Sequence, residues 1–90
     1  MSFGWSPCEL CGTRVPEGLL ARRTIGASTE SLCMTCTGAL EKLESMGESR
    51  VDRARFLYAN GAMREEIAEQ ADSGTTINPI DSLVRFYRGE

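Results

Sequence analysis

Pro7-Cys8-Glu9-Leu10-Cys11-Gly12 and, further on, Leu32-Cys33-Met34-Thr35-Cys36-Thr37 hold all four cysteines of this 90-residue chain, as two Cys-x-x-Cys pairs. A spacing of two lets one tight turn aim both sulfurs at one point, and a tetrahedral Zn²⁺ takes four such ligands at about 2.3 Å. Each pair is half a site, so Cys8, Cys11, Cys33 and Cys36 are the expected metal ligands and Zn²⁺ the expected cofactor. The 21 residues between the pairs, Gly12 to Leu32, suit a loop joining two half-sites. With every ligand supplied by protein, no position is left for water or substrate, which is the arrangement of a structural rather than a catalytic zinc.

Other uses of four cysteines fit less well. A secreted domain stapled by two disulfides calls for an export signal, and the opening Met1 to Pro7 offers no basic start, apolar run or cleavage site. A thioredoxin-like redox motif needs one such pair on a βαβ framework, not two equivalent pairs in a chain of this length. Four thiolates also hold a single iron or an iron–sulfur cluster, and iron remains the alternative metal. Ninety residues make one small domain whose core is marginal without a staple, and zinc is the staple expected. No apolar run approaches the roughly 18 residues that cross a bilayer, so a soluble, cytoplasmic protein is expected. The formal charge is −3, and four thiolates with one Zn²⁺ would add −4 + 2 = −2, giving −5 when loaded. Such an acidic surface disfavours generic binding to nucleic acid.

Residues 1–48 read as the metal module. Gly12 is suited to the positive φ that turns the chain after the second sulfur. Pro16-Glu17-Gly18 reads as a turn, residues 19–25 as a strand, Gly26 to Ser28 as a turn and residues 29–32 as the returning strand. After Cys36, the apolar positions Ala39, Leu40, Leu43 and Met46 predict an amphipathic helix that starts at the metal. A knuckle, a hairpin and a helix whose first turn carries the last two ligands is the order of a treble-clef finger. The fold class expected is therefore α+β. Over residues 8 to about 46, the string Cys8-Glu9-Leu10-Cys11-Gly12 and the run Leu32-Cys33-Met34-Thr35-Cys36 into a helix resemble the zinc-binding domain of the ClpX unfoldase. They also resemble the zinc segment of archaeal multiprotein bridging factors. The resemblance implies a protein-docking finger, dimeric in the ClpX case, and carries over only the four cysteines; the ATPase domain of ClpX has no counterpart here.

Residues 49–90 read as a three-helix element packed on that module. Ser49 is the expected cap of a helix over 50–59, with Val51, Ala54, Leu57 and Tyr58 on one face and Asn60-Gly61 as its stop. A second helix is expected over 63–71, closed by Ser73-Gly74. The third has the strongest start: Asn78 as cap, Pro79 at the first helical position, Asp81 in the first turn, then Ile80, Leu83, Val84 and Tyr87 at helical spacing. The run 60–71 resembles the first part of a helix-turn-helix, with Ala68 as the small residue where two helices would cross. Against DNA reading, Asp81 would meet phosphates at the reading end, and this half nets −1.

The candidate partner-binding residues are Arg22 and Arg23 on the hairpin, beside Arg14, and Arg85, Phe86 and Arg88 on the last helix. Phe3 and Trp5 are expected to cap the small zinc core. No histidine, nucleophile–base pair or phosphate loop is visible, so no enzyme is expected. The function expected is a zinc-binding regulatory or adaptor module that docks on a protein partner, in transcription or protein quality control. A DNA-binding regulator using the 50–88 element is the alternative, a redox protein the distant one, and a homodimer is compatible with either.

Overall fold

The computed structural model describes residues 4–48 and 50–89. The chain runs β1 (Trp5–Pro7), β2 (Arg14–Pro16), a 3-10 turn (Glu17–Leu19), β3 (Ala21–Ile25), β4 (Ser28–Leu32), α1 (Met34–Ser45), α2 (Arg53–Asp72) and α3 (Pro79–Arg88). This is the expected α+β architecture: two antiparallel hairpins followed by three helices.

The first hairpin was not legible as strands. β1 and β2 are three residues each and pair Trp5 with Pro16 and Pro7 with Arg14, so that their connection is the Cys8–Cys11 knuckle itself. The second pairs Ala21 with Leu32 and Ile25 with Ser28, and the residues facing inward at its two ends, Ile25 and Leu32, are buried. Cys33 is the N-cap of α1, and Cys36 lies in that helix's first turn. The order is knuckle, hairpin, helix.

The largest departure from the sequence reading is in α2. Residues 53–72 form one 20-residue helix, in place of separate helices over 50–59 and 63–71. Asn60 and Gly61 lie inside it. A glycine in a helix interior costs roughly 1 kcal/mol, whereas burying a side chain such as Phe56 or Met63 returns about 1.5–3 kcal/mol each, so the packed face outweighs the local stop signal. The buried face follows: Phe56, Ala59, Asn60 and Met63 point inward, while Ala54, Tyr58 and Ala68 are exposed. The expected stripe of Val51, Ala54, Leu57 and Tyr58 therefore breaks up. Val51 is buried but precedes the helix, and Ala68 marks no helix crossing. Ser49 lies outside the described residues; the cap is Asp52, whose carboxylate accepts from the Arg55 amide at 2.9 Å.

α3 forms as read. The Asn78 side chain accepts from the Ile80 and Asp81 amides, Pro79 opens the helix, and Gly89 closes it in the left-handed conformation. It lies between α1 and α2 and buries Leu83, Val84 and Tyr87. Tyr87 meets Phe56 with ring centroids 6.2 Å apart, and its hydroxyl accepts from the Asp52 amide at 2.9 Å, fixing the start of α2. Where α1 meets α3, Gly38 faces Ile80, and an added Cβ would stand 2.6 Å from Ile80 Cδ1, so that side chain would have to shift. One apolar core thus continues from Leu32 and Ile25 through Leu40 and Leu43 to Phe56 and Leu83.

Candidate metal centre

The knuckle is built by backbone hydrogen bonds that converge on its sulfurs. The Cys8 amide donates to Thr13 O and the Gly12 amide to Cys8 O, each at 2.8 Å, and the Cys11 amide points at Cys8 Sγ at 3.5 Å. Gly12 supplies the turn with φ +79°, which other residues reach only at a cost. Glu9 ties the knuckle to β4: its amide donates to Ser31 O at 2.9 Å and its carboxylate accepts from the Ser31 amide at 2.7 Å. From the other side, the N-terminal end of α1 presents Cys33 and Cys36, where the helix dipole favours negative charge.

These two halves bring all four sulfurs within 4.8 Å of one another. No disulfide joins them; Cys8 Sγ lies 3.8 Å from Cys36 Sγ, and Cys11 Sγ lies 3.8 Å from Cys33 Sγ. A tetrahedron with metal–sulfur bonds of about 2.3 Å has edges of about 3.8 Å, so the donor set fits a four-thiolate ion in both chemistry and size. The four cysteines could hold a metal ion. Their protonation points the same way. Hydrogen bonds from Cys33 and then Cys36 hold the Cys11 thiol far below the usual range, while the bonds to Cys11 and Cys33, followed by burial, push Cys36 far above it. Cys33 is raised too, first by its bond to Cys11. A divalent cation at this point would offset the charge of the clustered thiolates.

α2 supplies contacts to this centre that the sequence reading missed. Asn60, read there as a helix stop, is 5% exposed and turns its amide nitrogen toward Cys36 Sγ at 4.0 Å. Its signal was available: it falls on the stripe Phe56, Ala59, Met63, at helical spacing. Two arginines on another side of α2 bracket the knuckle. Arg53 grips the Glu30 carboxylate at 3.0–3.1 Å and donates to Glu9 O at 3.1 Å. Arg64 donates to Cys11 O at 3.3 Å and to the Thr13 hydroxyl, which itself lies 3.3 Å from Cys11 Sγ.

The candidate partner-binding residues lie on two elements, away from any such convergence. Arg22 and Arg23 are exposed on β3, where Arg23 pairs with Glu41 at 2.8 Å. On α3, Arg85 pairs with Glu66 and stacks over the Phe86 ring at 4.9 Å, and Arg88 reaches Met46 Sδ at 3.7 Å. Phe86 is half-buried and packs against the core. Asp81 pairs with Lys42 of α1. Trp5 is 58% exposed, so it does not cap the centre, and Phe3 lies outside the described residues. Among the described residues no helix is long and apolar enough to cross a membrane.

Compared with protein-family models, with curated proteins and with solved structures, the chain finds no match. No comparison supports the expected resemblance to the ClpX zinc-binding domain or to archaeal bridging factors.

Proposed function

We propose that this protein is a structural-zinc module with no catalytic role, and that it acts as a regulatory or adaptor element docking on a protein partner. The metal part is carried by one observation: two opposite sulfur pairs stand 3.8 Å apart, the edge of a zinc–thiolate tetrahedron, on a preformed knuckle and helix end. Cys8, Cys11, Cys33 and Cys36 would hold the ion, and its positive charge would balance four thiolates that the chain otherwise crowds together. Four protein ligands leave no position at which water or substrate could be activated.

Docking rather than DNA reading is supported by how the arginines are used. Arg85 on α3 is paired with an acid, and Asp81 occupies the helix start that would approach phosphates. Exposed Trp5, Leu19, Met34 and Tyr58 are the kind of apolar anchors that protein interfaces use. Native mass spectrometry of the reduced, folded chain should show one bound Zn²⁺; metal-free folded protein would sink the site, and a coloured preparation would assign iron instead. Binding to random duplex should be weaker than roughly 10⁻⁵ M at physiological salt. Tighter, steeply salt-dependent binding would replace docking with DNA reading.

A further inference from the structure

The four sulfurs are not equally sheltered. Cys8 and Cys36 are 1% and 0% exposed, whereas Cys11 is only half-buried and, with Cys33, lines an open cleft of about 280 Å³. Leu19, Met34, Met63 and Ile67 form its apolar walls. A small uncharged solute entering from water therefore meets the Cys11–Cys33 edge first, while the Cys8–Cys36 edge is closed off.

We propose that this edge is an oxidation site, at which hydrogen peroxide joins Cys11 to Cys33 and so removes two of the ligands that would hold the metal; the proposal rests on the metal reading above. The Cys11 thiolate attacks the peroxide: an S–O bond forms, the O–O bond breaks, and hydroxide leaves, beside the Thr13 hydroxyl 3.3 Å from the sulfur. The Cys33 thiolate, 3.8 Å away, then attacks the sulfenic sulfur, forming S–S as S–O breaks and a second hydroxide departs. Two thiolates lose two electrons, and the peroxide gains them. Closing from 3.8 Å to a disulfide length of about 2.05 Å moves the sulfurs together by about 1.8 Å. Only Cys8 and Cys36 would then remain to hold a metal ion, too few to keep it. Cys33, itself buried, lines the cleft, whereas Cys8 does not and has its Sγ 3.8 Å from Cys36, so Cys8 competes poorly as the resolving sulfur.

The full chain is first weighed by native mass spectrometry to confirm one metal ion, then treated with a small molar excess of hydrogen peroxide. Free cysteines are alkylated and the bridged peptides sequenced by fragmentation. The expected result is one metal released per disulfide, with the bridge between Cys11 and Cys33 and with Cys8 and Cys36 open to alkylation. A Cys8–Cys11 or Cys33–Cys36 bridge, or a mixture without preference, in protein that began metal-loaded would overturn the edge assignment alone. Protein without metal at the start would overturn both readings. Leu19→Trp, which narrows the cleft while leaving all four cysteines in place, should load metal normally and release it several-fold more slowly; an unchanged rate would remove the cleft as the route.

Discussion

The surroundings of the four sulfurs and those of Phe56 give the chain a core in different ways. Around the sulfurs the elements are two-stranded hairpins of three and five residues, which are marginal in water on their own. Their interior combines the cysteine sulfurs with Leu10, Ile25 and Leu32, and a metal would add to its cohesion. Around Phe56, two helices of 20 and 10 residues bury whole hydrocarbon side chains against each other. There cohesion comes from displaced water, with about 1.5–3 kcal/mol for each large side chain taken inside. The comparison teaches that a small chain can divide its stability between ligation and packing, provided some element belongs to both. α1 is that element, with Cys36 in its first turn and Leu40 and Leu43 packed in the common core.

The strongest way to break the comparison is to remove the metal. Apparent binding energies of about 10–16 kcal/mol in small zinc peptides exceed what a core of this size holds in reserve. Chelation, or Cys36→Ser, should therefore unfold the hairpins and α1, and α3 should lose its partner with them. Circular dichroism should show helix melting together with metal loss. Full helicity after chelation would mean that the two regions are independent.

Phe56→Ala attacks the other region and should cost about 3–5 kcal/mol, read as a lowered midpoint in a urea titration of the metal-loaded chain. Bound metal should survive at low denaturant; metal lost before unfolding would show that packing at Phe56 controls the site directly.

Asn60→Ala sits where the regions touch. Loss of the amide facing Cys36 should weaken metal affinity about 10–100-fold, as outer-shell partners do, with little effect on helix content. Competition against a chromophoric chelator reads this directly, and an unchanged affinity would reduce Asn60 to filler.

The smallest effect is at Gly61, which is exposed, lies in the interior of α2 and has nothing within 4 Å of an added Cβ. Gly61→Ala should stabilise the chain by roughly 0.5–1 kcal/mol through helix propensity alone. Destabilisation would mean that residues 60–61 do interrupt the helix in solution, as their local signal suggests.

Where a structural signal is complete within a few residues, it was legible. Asn78, Pro79 and Asp81 start α3 because a side-chain cap, a preset φ and an acid at the positive helix end all act over one turn. The cysteine pairs were legible for the same reason, since two intervening residues fix where both sulfurs point. Asn60-Gly61 misled because a turn preference is worth about 1 kcal/mol and distant contacts are worth more. Arg53 and Arg64 gave no signal, because each reaches backbone carbonyls of the knuckle 44 and 53 residues away in sequence. The strands β1 and β2 were hidden by brevity; three residues carry no alternation to detect.

The amino-acid sequence by itself determined which four cysteines could hold a metal, the α+β order of elements and both ends of α3, because spacing, caps and turns are properties of neighbours along the chain. Only the tertiary structure decided that α2 is one helix, that Asn60 faces a sulfur rather than solvent, and that Cys11 and Cys33 border an open cleft while Cys8 and Cys36 are sealed. Each of those outcomes depends on which surfaces meet across the fold, and burial energy rather than local propensity makes that choice.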